Sequence, residues 1–151
     1  MAECKCDKCK AACTVKPGWY KPNELEGLAR YLNMPLTEAF RKFLGVDWYE
    51  AWESPIFLIA PATTSMSPGD MYRANPKGQC IFYKDGKCSI YKARPHECRT
   101  YKHTDSRKIV EERHKAVAKS WDKIEHQDKV RELFGAEPQA AESSFIDSMY
   151  W

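Results

Sequence analysis

The sequence predicts a small α+β domain, mainly helical, with a short β-hairpin and irregular cysteine-bearing loops. Three observations lead there: apolar residues recur at helical spacing within 19–52 and again beyond 105, an Asp85-Gly86 pair stands between apolar-rich flanks, and seven cysteines fall into two separated groups. A length of 151 residues fits one domain of ordinary size with a modest core. We divide the chain into a folded domain over 1–135 and a carboxyl-terminal tail over 136–151.

The helical elements come first. Pro22 and Asn23 are start signals, and Leu25, Leu28, Ala29 and Leu32 recur at helical spacing until Asn33 and Pro35 end the pattern. A second helix is expected to follow, capped by Thr37, with Phe40, Phe43, Leu44 and Trp48 as its apolar stripe. Ile56-Phe57-Leu58-Ile59-Ala60 is a short apolar run closed by Pro61 and reads as one strand. The Pro-, Ser-, Thr- and Gly-rich stretch over 61–78 reads as a loop.

Asp85-Gly86 then marks a hairpin. A two-residue turn would set Tyr83 opposite Cys88 and send Cys80 to the other face of the ribbon. A three-residue loop with Gly86 as a left-handed bulge pairs Phe82 with Cys88 and keeps Cys80 on the same face. We expect the bulged form. Beyond Asp105 the chain is strongly charged and helical, with Ile109, Val110, Val117, Trp121 and Ile124 as the expected buried stripe and Gly135 as the stop; these 105–135 helices are expected to pack over the rest. The tail ends in an apolar run, Phe145 to Trp151, readable as a docking peptide or a loosely packed end.

Composition narrows the function classes. A formal charge of +3 from 24 basic and 21 acidic residues, spread along the chain, is too weak and mixed for a phosphate-binding footprint, so nucleic acid is unsupported. No segment approaches the apolar run that spans a bilayer, and Met1 to Cys6 lacks the apolar stretch of a secretory signal. A soluble, cytoplasmic protein with no membrane contact is expected.

In a reducing compartment disulfides are rarely stable, and an odd number of thiols cannot all pair. Metal coordination is the expected reason for seven cysteines, with the loops arranged around a metal site. Cys4, Cys6, Cys9 and Cys13 crowd the start; Cys80, Cys88 and Cys98 follow much later. The first group has spacings that let one irregular loop turn several thiolates inward. Only Cys6 and Cys9 form a zinc-knuckle pair, whereas iron-sulfur clusters accept more varied loops and often a distant extra cysteine. Lys5, Lys8, Lys10 and Lys16 would offset the negative charge of a thiolate-bound cluster.

Arg94-Pro95-His96-Glu97-Cys98-Arg99 completes the second group. Pro95 suits the first position of a helical turn, whose amides favour the Cys98 thiolate. Arg94 and Arg99 are candidate cofactor-binding residues, donating hydrogen bonds to cluster sulfur or to thiolates, and His96 is a candidate mixed ligand.

Gly78-Gln79-Cys80-Ile81-Phe82, Gly86-Lys87-Cys88-Ser89-Ile90-Tyr91 and Arg94-Pro95-His96-Glu97-Cys98-Arg99 resemble the YkgJ-like cysteine-cluster family, a zinc- or iron-chelating type of domain. The likeness covers roughly 4–101. It departs from the family in the first group, where Cys9-Lys10-Ala11-Ala12-Cys13 stands in place of two adjacent cysteines. The family's relatives include flagellin lysine methylases, which implies an iron-sulfur cluster used with S-adenosylmethionine for those proteins; the match here is to the cysteine domain.

Three classes remain open from the residues. The first is an iron-sulfur protein, favouring a 4Fe-4S cluster, that transfers electrons or supports a partner enzyme. The second is a structural zinc protein that recruits a protein partner. The third, by analogy with the relatives, is a metal-dependent group-transfer enzyme. The sequence shows no glycine-rich nucleotide loop and no radical-type Cys-x-x-x-Cys-x-x-Cys order.

Overall fold

A computed structural model describes residues 12–51, 54–73 and 78–140. A 3-10 turn at Pro22–Glu24 leads into α1, Leu25–Leu32, and the Lys21 amide donates to Glu24 Oε1 at 2.7 Å across that start. The helix ends as expected at Asn33, whose φ of 55° is a left-handed cap that asparagine tolerates. Leu25, Leu28 and Ala29 are buried.

Helix α2, Leu36–Phe43, follows. Its cap is Pro35 rather than Thr37, because the fixed ring geometry already sets the entry and Thr37 falls inside the first turn. The helix also stops earlier than its apolar stripe implied. Leu44 and Trp48 belong to a strand, β1, Leu44–Tyr49, in which every residue but the last is buried. A strand covered on both faces carries apolar residues without alternation, so its sequence imitates a buried helical stripe.

Strand β2, Ile56–Pro61, is the expected one and pairs antiparallel with β1, Val46 opposite Ile59 and Leu44 opposite Pro61. On the outer side of β1 the loop runs close: the Val46 amide donates to Asp70 O at 3.0 Å and the Tyr72 amide to Val46 O at 2.8 Å. On the outer side of β2 the Tyr20 amide donates to Ile59 O at 3.1 Å. These links make the sheet the centre of the core, with Leu44, Val46, Leu58, Ile59 and Ala60 excluded from solvent.

The hairpin forms, β3 at Tyr83–Lys84 and β4 at Lys87–Cys88, but not in the bulged form. Tyr83 faces Cys88 across a two-residue turn in which Asp85 and Gly86 both take positive φ, 51° and 74°. That is the backbone twist that two-residue hairpins favour.

A short helix α3, His96–Thr100, lies directly after Pro95, which stands at its cap rather than at its first position. Two longer helices close the fold: α4, Arg107–Ser120, capped by the Ser106 side chain, and α5, Ile124–Phe134, ending at Gly135 with φ 82°. Both pack against β2. Trp121 between them is buried and donates from Nε1 to Tyr20 O at 2.7 Å. The buried stripe is Val117, Ala118, Trp121, Val130 and Leu133, whereas Ile109 and Ile124 are 47% and 78% exposed and take no part in it. Each of those two sits in the first turn of its helix, ahead of the portion that meets the sheet. Among the described residues no helix is long and apolar enough to cross a membrane. The apolar run from Phe145 onward lies outside the described residues.

Candidate metal centre

Four of the seven cysteines are described, and backbone pairing brings them together from distant parts of the chain. Cys13 sits in a 3-10 turn, Ala12–Thr14. The Cys80 amide donates to Cys13 O at 2.8 Å, and the Gly78 amide to Val15 O at 2.7 Å. On its other side the same segment meets residues 62–64, with the Ile81 amide on Ala62 O at 2.9 Å and the Thr64 amide on Gln79 O at 2.9 Å. Cys80 is thus held between the first cysteine group and the end of β2.

Cys88 joins it despite the two-residue turn. The Tyr83 amide donates to Cys80 O at 3.0 Å, so the chain turns at 80–83, and strand alternation does not extend back to Cys80. Cys98 arrives on α3, and its Sγ accepts from the Gly18 amide at 3.3 Å. Only glycine fits at that position. A Cβ on residue 18 would lie 2.6 Å from Glu97 Cβ and 3.1 Å from Cys98 Sγ.

Cys13, Cys80, Cys88 and Cys98 all line one cavity of about 580 Å3, and all four are free thiols. Burial pushes the Cys80 thiol up to about 12, and it pushes Cys98 higher still. The amides of Phe82 and Tyr83 oppose the shift at Cys80, and the Gly18 amide opposes it at Cys98, while the neighbouring cysteines add to both. Cys13 and Cys88 are raised by burial too, and Arg94 offsets part of that. Thiols that burial and one another hold neutral are the groups that a bound cation ionises, because its charge reverses both effects. A soft, all-sulfur donor set suits zinc or iron. Among the described residues the donors ring the cavity, and no three Cys, His, Asp or Glu side chains close on a single ion. Cys4, Cys6 and Cys9, with Lys5, Lys8 and Lys10, lie outside the described residues.

The other expected site residues divide. Arg94 lines the cavity, its guanidinium 3.7 Å from the Tyr91 ring centroid and its Nε donating to Tyr91 O at 2.8 Å. Arg99 also lines it, held by Glu24 Oε2 at 2.6 Å. Lys16 lines it while paired with Asp47 at 3.0 Å. His96 does not line it; its amide donates to Glu24 Oε1 at 3.1 Å, and burial lowers the imidazole's proton affinity.

Three supporting residues carry no signal in the sequence. Glu97 accepts from the Trp19 amide at 2.7 Å and contacts His114 Nδ1 at 2.7 Å, tying α3 to the segment bearing Gly18 and to α4. His114 stacks on Trp19 with ring centroids 3.5 Å apart and lines the cavity. Buried Asp47 accepts from Trp19 Nε1 at 2.8 Å as well as holding Lys16, so β1 anchors the segment that runs from Cys13 toward Cys98. Glu97 was adjacent to a recognised cysteine, but its partners lie 78 and 17 residues away.

A small α+β domain with one buried and three half-buried thiols ringed about one cavity defines a metal-chelating class of site. The chain belongs to the CxxCxxCC family, "Putative zinc- or iron-chelating domain", whose model matches residues 5–129. The match runs past the second cysteine group through α4 and into α5, so these helices are part of the family's domain. No curated protein and no solved structure matches the chain.

Proposed function

We propose that the two cysteine groups converge on one iron-sulfur cluster, with 4Fe-4S the form that fits best, and that the protein serves electron transfer or supports a partner enzyme in the cytoplasm. One observation carries this reading: thiols from residues 13, 80, 88 and 98 line the same cavity, joined through the Cys80 to Cys13 backbone bond. Sulfurs spaced around a cavity of about 580 Å3 suit the separate irons of a cluster. Zinc instead draws its thiolates to about 2.3 Å of one point. Arg94 beside Cys13 and Cys88 supplies positive charge where cluster and thiolates are anionic. Bound there, the cluster would supply one-electron chemistry. The chain's own residues would hold it through thiolates, donate the Gly18 amide to Cys98 Sγ, and exclude water from the buried Cys80.

A structural zinc protein that recruits a partner is the second reading, favoured by the two-residue spacing of Cys6 and Cys9 and by the family's zinc- or iron-chelating description. Anaerobic purification separates the two. Iron and acid-labile sulfide with a brown visible absorption band support the cluster; about one or two zinc ions per colourless chain, without iron or sulfide, overturn it.

A further inference from the structure

Cations and carboxylates are spread along the chain, but their excess is not. Residues 84–94 hold four cations, Lys84, Lys87, Lys92 and Arg94, against one carboxylate, Asp85. That segment alone carries the formal +3 of the whole chain, so the remaining residues balance to zero.

The hairpin places two of these cations together. Lys84 and Lys87 stand directly opposite each other in the β3–β4 register, which sets their Cβ atoms about 5 Å apart. Like charges so placed weaken a ribbon, and folding alone gives no reason to keep them. Both are exposed, as is Lys92, and among the described residues none of the three is in an ion pair. Elsewhere Lys16, Lys42, Arg99, Arg107, Arg113 and Arg131 each hold a carboxylate. The next pair along the ribbon is Tyr83 and Cys88, and alternation turns it to the other face, where both line the cysteine cavity. Gly86 and Lys87, both exposed, line that cavity as well, so the hairpin tip stands at its opening. The unmatched lysines and a thiol of the metal site are therefore two sides of one ribbon.

We propose that the β3–β4 hairpin, through Lys84 and Lys87, docks an acidic protein electron carrier, one whose carboxylates surround its own redox group. The proposal rests on the electron-transfer reading and names its partner. Complementary charge here speeds encounter and orients the carrier with its redox group toward Cys88. One electron then crosses, and no bond forms or breaks. A nucleic-acid duplex or an anionic bilayer rewards charge spread over a broad face. Here the excess is confined to one short segment, which fits a small patch of carboxylates.

The test uses the full chain purified anaerobically, with iron, sulfide and zinc measured on the same sample, and an acidic flavodoxin as the probe. Its flavin hydroquinone gives up one electron to become the semiquinone, and bleaching of the cluster absorption follows the arrival. Association by calorimetry and the reduction rate by stopped flow are both expected to fall as salt is added. Lys84→Glu with Lys87→Glu is expected to lower both about ten-fold or more at low ionic strength. Two glutamates repel as two lysines do, so metal content and melting temperature should not change. Lys115→Glu with Lys119→Glu makes the same change in net charge on α4, where they line a separate groove with Phe57, and is expected to leave most of the affinity and rate intact. Equal losses in the two variants, or none in either, overturn the proposal, since Lys84 and Lys87 would then only keep the ribbon soluble. Double-stranded DNA that binds the hairpin more tightly than flavodoxin overturns it too. Lys84→Gln with Lys87→Gln, expected to fall between, serves the comparison should the glutamate pair fail to fold. A colourless chain with zinc and neither iron nor sulfide overturns the electron-transfer reading; hairpin-dependent association in that chain still upholds an acidic docking partner, and its absence there overturns both.

Discussion

The β1–β2 sheet and the cysteine cavity are stabilised in opposite ways. The sheet half is packed mainly from apolar side chains, with Asp47 as the buried charge of β1, and is backed by α4 and α5. The cavity half is built from two-residue strands, 3-10 turns and the five-residue α3, and its central side chains are thiols held neutral by burial. One half is therefore stabilised chiefly by hydrophobic burial, while the other is completed by what it binds. The two are joined by a shared core that takes in Cys80, Phe82 and Ile90, by the Ile81 amide on Ala62 O, and by the polar links of Asp47 to Trp19 and Lys16.

The largest effect that would break this contrast is at Cys98. Cys98→Ser is expected to remove metal-linked stabilisation on the order of several kcal/mol, leaving the metal-free melting temperature close to wild type; equal losses in both forms would show that the thiol is ordinary core. Next is Trp121→Ala in the sheet half. It should cost about 3–5 kcal/mol by denaturant titration whether or not metal is bound, and a cost confined to the metal-loaded form would erase the distinction. Gly18→Ala falls between the halves. Its Cβ collides with Glu97, so about 1–3 kcal/mol is expected together with faster metal loss to a chelator.

A pH series sharpens the comparison further. The folded, metal-free chain keeps the Cys80 proton up to about 12, whereas an unfolded thiol releases it near about 8.5. The folded state then binds more protons than the unfolded state, so stability is full below about 8.5 and declines as pH rises toward 12. Metal-loaded protein, its thiolates already deprotonated, should not show that decline. The smallest effect is at Ile124. Being 78% exposed, Ile124→Ser should shift stability by no more than about 0.5 kcal/mol, which a thermal melt checks.

Much of this was readable in the residues, and the failures have physical reasons. Pro22, Asn33 and Gly135 marked helix ends because their backbone preferences are local. The strand over Leu44–Tyr49 read as helix because burial on both faces removes the alternation that distinguishes a strand. The hairpin was legible from Asp85-Gly86, but its turn type was not: the bulge was inferred from the need to place Cys80 beside Cys88, and the chain meets that need with a turn at 80–83. Cys13, Cys80, Cys88 and Cys98 stood out by chemistry alone. Glu97, His114 and Asp47 did not, because their importance lies in partners far off in the chain.

The side chain of Gln127 has a wider consequence. Its amide donates to Phe57 O at 2.8 Å and accepts from the Phe57 amide at 3.1 Å, just where a further strand would pair, and Tyr20 occupies Ile59 O two residues on. The outer rim of β2 therefore presents no run of open amides to another molecule. A mainly apolar ribbon of two strands would otherwise invite edge-to-edge growth into aggregates, and here Gln127 from α5 and the Tyr20 amide together cover that edge.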